Sequence, residues 1–435
     1  MYNMAEKTSF KKPLVGFFNL FYNYGETCRA ILIAKRYIEL GGNVIFFSHG
    51  GEYEHLAEEI GFKIVRVKPI YNHKIIDIFW KSSRLETLKN PFPKKFLIEH
   101  VDEEIKAYMK TGIKLIVSTN NFPCVISARA AGIPLVVVTP KMSPFFLKYP
   151  DDAEFYFTRM IPESIKLKII NWYVPRSKML IKSFYKTAKR YDVDLPKRGA
   201  NLLKGDYTFY VDFKEFYDID ESKIPKNEYY IGHNFLDELL TKSLDEEEII
   251  KEESQLEQHI KNNGKSILLT LGSSGTKELF LKILQALNKT DYKVIAVYTS
   301  ILNEKDLPEL RDNILIKKFV PSIAKLNKMV DLAIIHGGKA TVYNAAYSGK
   351  PVIGYPMQFE QHLNLEVLLK HGMACIQSRK YFKEYSLLKT LEEIFYDYNN
   401  YLKNAQKLAS KLPKPDGDKN AAEMIIKILE KEKIE

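Results

Sequence analysis

The sequence predicts an α/β fold made of two parallel-sheet domains, and three observations carry that prediction. Short, fully apolar runs alternate with helical stretches over most of the chain, as in parallel sheets covered on both faces. The 435 residues exceed what one hydrophobic core fills, so the chain must divide. An acidic, polar segment at 237–262 separates two such β/α series.

The first series places strands at Leu14–Phe18, Val44–Phe47, Lys63–Val67, Lys114–Val117 and Leu135–Val138. Ile31, Leu32, Ala34 and Ile38 recur at helical spacing, and Gly41-Gly42 ends that helix. Further helices fall on Tyr53–Ile60 and Cys124–Ala131. From 141 to 194 the chain turns basic and aromatic and reads as inserted amphipathic helices; Tyr207–Val211 and Tyr229–Ile231 close a domain spanning 1–236. The connection 237–262 is expected to be partly helical. The second domain, 263–412, has strands at Ile267–Leu271, Lys293–Tyr298, Ile314–Phe319, Leu332–Ile335 and Val352–Tyr355, with helices over 277–288, 322–329, 340–348, 361–371 and 386–396. Pro413 and Pro415 break the chain before a last segment, 413–435, with a helix near 419–432.

A net charge of +11 suits anionic partners such as nucleotides or anionic lipid headgroups. The basic residues are dispersed and no nucleic-acid recognition motif occurs, so nucleic acid is not an expected partner. Three distant cysteines, Cys28, Cys124 and Cys375, form neither a disulfide framework nor a zinc-ligand spacing, which points to a reducing cytoplasm. The N-terminus lacks an apolar signal core, and no window of about 18 apolar residues occurs to cross a membrane. The Asp-x-Asp strings at Asp192/Asp194, Asp218/Asp220 and Asp416/Asp418 lie in polar turns and read as solvated acids, so no metal site is expected.

The chemistry concentrates in the second domain. Strand Ile267–Leu271 ends in Gly272-Ser273-Ser274-Gly275-Thr276 and then a helix; small residues there admit a ligand to backbone amides. Strand Leu332–Ile335 ends at His336, Gly337-Gly338 turn the chain, and Lys339 and Thr341 open a helix whose N-terminus favours an anion. Lys339 either meets phosphate or faces solvent. Strand Val352–Tyr355 delivers Glu360 and Gln361 to the same side, because strand C-termini share one edge of an open sheet.

This segment resembles the donor-site signature of glycosyltransferase family 1, the UDP-glycosyltransferases, and of MurG-like relatives. The matching elements, in order, are Phe319-Val320-Pro321, His336-Gly337-Gly338, Thr341, Gly349-Lys350-Pro351 and Glu360-Gln361. The resemblance implies a GT-B fold: two Rossmann-like domains facing a central cleft, with the C-terminal helix packed back on the first domain. It implies that 319–321 receive the base and that His336, Gly338 and Thr341, with Ser273 and Ser274, hold the diphosphate. Glu360 and Gln361 would bond sugar hydroxyls. Where the family often has a ribose-binding Glu, this chain has Asn344, which leaves uridine preference open.

On the acceptor side, the MurG-like pattern Gly-His-x-x-Arg becomes Gly25-Glu26-Thr27-Cys28-Arg29, and the place of the family's orienting Asp reads Ser118-Thr119-Asn120-Asn121. A carboxylate needs no Asp to set a tautomer. Glu26 is therefore the candidate catalytic base, with Arg29 and Asn120 as acceptor contacts; a first-turn acid stabilised by its helix dipole is the alternative. The resemblance implies an inverting transfer from a nucleotide-sugar, most simply a UDP-sugar, with no cofactor or metal. The acceptor would be a small molecule or lipid, and the basic insert, with Trp172, Tyr173, Phe184 and Tyr185, would form an acceptor wall or rest on the inner face of an anionic membrane. A UDP-sugar 2-epimerase of the same architecture and a non-catalytic nucleotide-sugar-binding module are the competing functions.

Overall fold

The computed structural model describes residues 13–83, 87, 89–141, 146–150, 160–173, 176, 181–196, 201–202, 204–234, 246–261, 264–299 and 301–433. Expectations for the remaining residues lie outside this description.

The first sheet holds β1 (Leu14–Phe18), β2 (Asn43–Ser48), β3 (Ile64–Arg66), β4 (Leu115–Ser118), β5 (Leu135–Thr139), β6 (Tyr207–Tyr210) and β7 (Glu228–Tyr230). Their order is β3-β2-β1-β4-β5-β6-β7 and every pairing is parallel. The second sheet holds β8 (Ser266–Thr270), β9 (Lys293–Val297), β10 (Ile314–Lys317), β11 (Leu332–Ile335), β12 (Val352–Gly354) and β13 (Ala374–Ile376), ordered β10-β9-β8-β11-β12-β13 and again all parallel. Both sheets reverse their winding beside the first strand of the series, between β1 and β4 and between β8 and β11. In open α/β sheets the crevice beyond the strand C-termini at such a reversal receives ligands.

Apolar strands explain both sheets: Leu115–Ser118, Ser266–Thr270 and Leu332–Ile335 are buried at every position. Helices cover both faces. The helix Tyr24–Glu39 buries Ile31, Ala34 and Tyr37 against Val15 and Val117. The last helix, Gly417–Lys431, completes that layer. Its Ala421, Ala422, Ile425, Ile428 and Leu429 join the same core, and Arg36 pairs with Asp418 at 2.8 Å. The expected return of the C-terminal helix to the first sheet is present.

Several elements were not foreseen: the helices His73–Ser83, Lys94–Thr111 and Tyr398–Ala409, and the edge strand β13. The acidic connection forms the helix Glu246–Ile260. It lies against the second sheet, where Glu252 pairs with Lys317 at 2.9 Å and Glu253 with Lys325 at 2.7 Å. Asp218 pairs with Lys370 and Lys411, and Asp418 with Arg36, so these acids of the Asp-x-Asp strings serve as surface ion partners. Among the described residues no helix is long and apolar enough to cross a membrane.

Candidate nucleotide-sugar site

The C-terminal ends of the two sheets face one cleft of about 740 Å³. One wall carries Tyr22, Tyr24, Glu26, Arg29, Tyr53 and Trp80; the other carries Gly272, Ser273, Ser274, Phe319, Val320, His336, Gly338, Lys339, Thr341, Asn344, Gln358, Glu360 and Gln361. Most of the residues singled out from sequence therefore meet in one place. Gly337, Pro321 and Asn120 do not border the cleft.

The helix Lys339–Ser348 follows β11 with Gly338 as its N-cap. Gly338 has no side chain to cap with, and first-turn amides have no intrahelical acceptor, so these N–H groups stay available to an anion. The Thr341 hydroxyl donates to the Gly338 carbonyl at 2.9 Å, which fixes it in that turn. His336 lies in a slot between two glycines. A Cβ on Gly272 would stand 2.5 Å from its Cε1, and one on Gly338 would stand 2.3 Å from its Nε2. Glycine is needed at both places because the imidazole fills the space a side chain would take. Burial pushes the His336 pKa down to about 4, against a weaker upward pull from the Thr270 backbone, so the ring is neutral at pH 7.

Gln361 acts as a strut. Its Nε2 donates to Ser274 Oγ at 2.9 Å and its Oε1 accepts from Met357 N at 2.8 Å, tying the loop after β8 to the loop after β12. Glu360 stands in the first turn of the helix Phe359–Lys370, where Asn364 Nδ2 donates to it at 3.1 Å. Phe319 exposes 39% of its surface at the cleft edge, as a face open to stacking would.

Gly337 packs on the helix Phe359–Lys370: a Cβ there would stand 2.6 Å from the Gln361 carbonyl oxygen, and Asn364 Nδ2 donates to the Gly337 carbonyl at 3.0 Å. Lys339 borders the cleft, but its ammonium is neither solvated nor free for phosphate: it pairs with Asp212 at 3.0 Å, both side chains buried, and donates to Tyr217 Oη at 2.9 Å. Tyr343 Oη also donates to Asp212 at 2.8 Å and accepts from Phe213 N at 3.1 Å. Residues 212–217 follow β6, so this knot locks the end of the first sheet to the helix Lys339–Ser348. Removing one partner strands a buried charge, at a cost of about 3–5 kcal/mol. Lys339→Met is expected to lower the thermal unfolding midpoint by several degrees; an unchanged midpoint would remove the strut role.

On the opposite wall, Asn23 caps the first helix by accepting from Glu26 N at 3.3 Å. Glu26 Oε2 meets Arg29 Nη1 at 2.6 Å with 16% and 11% of the two side chains exposed. Burial raises the Glu26 pKa; Arg29 pulls it back, and Glu360 across the cleft raises it further. Asn120, the expected acceptor contact, is engaged by the neighbouring loop. Its Oδ1 accepts from Leu20 N at 2.9 Å, so the amide pins the loop after β1 to the loop after β4. Among the described residues the cleft wall opposite Gly272–Ser274 is aromatic, formed by Tyr22, Tyr24, Tyr53 and Trp80, and no described residue of the insert borders it. The NLFYNYG loop held two of these in plain view, whereas Trp80 lies on a helix that was not foreseen. In the insert, Phe146 and Ile170 pack on Leu363 of the donor domain, Phe184 enters the first core, and Trp172 and Tyr173 face outward.

Two parallel-sheet domains with their strand ends on facing walls, and a helix N-terminus presented between them, define a GT-B protein. Residues 266–421 match the model of the Glycosyltransferase family 28 C-terminal domain. A PGL/p-HBAD biosynthesis glycosyltransferase of Mycobacterium tuberculosis (strain ATCC 25177 / H37Ra) is 28% identical over 270 residues, covering 59% of this chain and 57% of that protein. The chain thus spans little more than half the length of that relative. Among solved structures, CalG4, the calicheamicin glycosyltransferase, superposes with a TM-score of 0.66 at 13% identity, over 97% of this chain and 99% of that one. The spinosyn rhamnosyltransferase SpnG, complexed with thymidine diphosphate, gives a TM-score of 0.61 at 12% identity, over 95% and 99%.

Proposed function

We propose that the protein transfers a hexose from a nucleoside-diphosphate sugar to a hydroxyl of a small or lipid acceptor, with inversion and without metal at the donor. One observation carries this reading. Gly338, Lys339, Ala340 and Thr341, the start of a helix with no side-chain cap, border the cleft beside His336 and Ser274. First-turn amides with neither an intrahelical acceptor nor a side-chain cap favour an anionic ligand at that place. The matched family model over 266–421 and the thymidine diphosphate carried by SpnG support a nucleotide in that place.

In this reading the diphosphate lies on the amides of 339–341 beside His336, the pyrimidine on Phe319, and the ribose near Asn344. Glu360 meets the sugar. Glu26 takes the acceptor proton as the acceptor oxygen bonds to the anomeric carbon. The bond from that carbon to the diphosphate oxygen breaks, and its electron pair leaves on a diphosphate held by the helix N-terminus. A panel of UDP-, dTDP- and GDP-sugars, read by donor hydrolysis and thermal shift, tests the proposal. Stabilisation by a pyrimidine diphosphate sugar, with rates unmoved by added magnesium or manganese, is expected. Stabilisation by none of the three would sink it. Glu26 and Glu360 facing one another also suit a 2-epimerase, which would convert UDP-GlcNAc to its ManNAc epimer with no acceptor present.

The outward stripe Ile165, Ile169 and Trp172 on the helix Glu163–Tyr173, with Lys168 beside it, suits an anionic bilayer surface. Ile169→Glu with Trp172→Glu is expected to abolish cosedimentation with phosphatidylglycerol vesicles at low salt and to leave donor hydrolysis intact. Equal sedimentation of variant and parent would remove this membrane face.

A further inference from the structure

Away from the cleft, three side chains of the first domain converge inside the core. His49 follows β2, while His100 and Glu104 lie one turn apart on the helix Lys94–Thr111, and all three are fully buried. His49 Nε2 is 2.9 Å from Glu104 Oε1 and 3.0 Å from His100 Nδ1. His100 Nδ1 is 3.6 Å from the same carboxylate oxygen. The other nitrogen of His49, Nδ1, faces the carbonyl oxygens of Val67 at 2.9 Å and Pro69 at 3.1 Å. Only an N–H sits well against carbonyls, so Nδ1 holds a proton, and an Nε2 free of its own proton would turn a lone pair to the cluster. That lone pair looks onto a carboxylate oxygen and a second imidazole nitrogen. With the His100 proton on its far nitrogen, Nε2, three electron-rich atoms would point at one spot, an arrangement that a shared cation completes.

We propose that His49, His100 and Glu104 hold a divalent transition-metal ion, with zinc the best match to two imidazoles and one carboxylate. Tetrahedral zinc with bonds of about 2.0–2.1 Å sets its ligand atoms about 3.3 Å apart. The three measured separations bracket that value. The surroundings have the form of an outer shell: backbone carbonyls fix the His49 tautomer, Asn121 Nδ2 donates to Glu104 Oε1 at 2.8 Å, and Ser127 Oγ and Tyr108 Oη donate to Glu104 Oε2. The histidine and glutamate four apart share one helix face, while the third ligand comes from the distant loop after β2, so no local spacing announces the site. Burial makes the ion a clamp: it joins the end of β2, the long helix and, through Asn121, the loop after β4. His49 stacks on Tyr71 at 5.6 Å and Tyr71 stacks on Tyr22 at 6.4 Å, so the clamp supports the aromatic cleft wall from beneath. The ion does not meet the nucleotide-sugar, and the inference stands whether or not the transferase reading does.

The test uses the full chain, purified without a polyhistidine tag and passed over gel filtration. Plasma mass spectrometry is expected to find about one equivalent of zinc, as for a structural site. Cobalt added during refolding should give the visible absorption of a tetrahedral nitrogen–oxygen site. His100→Ala and Glu104→Gln should lose both signals. A metal-free chain that gives no cobalt spectrum and no thermal shift with zinc overturns the proposal and makes the cluster an imidazolium–carboxylate pair. Folded variants that keep the metal overturn it too, by placing the ion elsewhere. If the variants do not fold, metal content and cobalt spectrum of the unaltered chain still decide.

Discussion

Glu26→Gln is expected to lower kcat by about a hundred- to ten-thousand-fold, the usual worth of a general base, while nucleotide affinity stays within a few-fold of the parent. The amide keeps the shape and still offers an oxygen to Arg29 Nη1, now 2.6 Å from the carboxylate, so the loss isolates proton acceptance. The pH profile gives a second reading. A base works deprotonated, so activity is present above the Glu26 pKa and disappears as pH falls through it. Because burial lifts that pKa, the acid limb of kcat/KM should lie above the ordinary glutamate value of about 4.3 and be absent from the variant's residual activity. Near-parental turnover in Glu26→Gln would return this side chain to the part of a first-turn helix acid.

The second large effect is expected at Gly338. Its backbone sits at φ −60° and ψ 147°, which any residue adopts, so alanine there brings no backbone strain. The added methyl would stand 2.3 Å from His336 Nε2, and Gly272 blocks the ring's retreat on the far side. Gly338→Ala should therefore push the imidazole off the diphosphate position and weaken nucleoside-diphosphate binding at least about tenfold, or 1.4 kcal/mol, by titration calorimetry. A double-mutant cycle separates this cause from general damage. In a His336→Ala background the methyl has no ring to strike, so Gly338→Ala should then cost little. Full additivity of the two losses would refute a mechanism through His336.

The donor wall was legible from sequence because its chemistry lies in turns at strand ends. The run from Leu332 to Gln361 states strand, turn and helix with unambiguous residues, and strand direction then forces them to one edge. What escaped was set by contacts between distant segments. Lys94–Thr111 turns His100 and Glu104 inward, so polar residues interrupt its apolar stripe and hide the helix. Tyr398–Ala409 buries only Ala405 and Leu408, too thin a stripe to stand out, and β13 has three residues. The asparagine after β4 pins the loop after β1 through Leu20, a partner a hundred positions away that no local pattern reveals. Lys339 similarly had no visible partner, since Asp212 lies more than a hundred positions earlier.

The return of Gly417–Lys431 to the first sheet has a consequence for biosynthesis. Val15, Ile31 and Tyr37 leave the ribosome more than 380 residues ahead of Ala421, Ile425 and Leu429, which share their core. The N-terminal half must therefore wait with an oily face uncovered while the other half is translated, a delay that favours chaperone capture and misassembly over domain-by-domain completion.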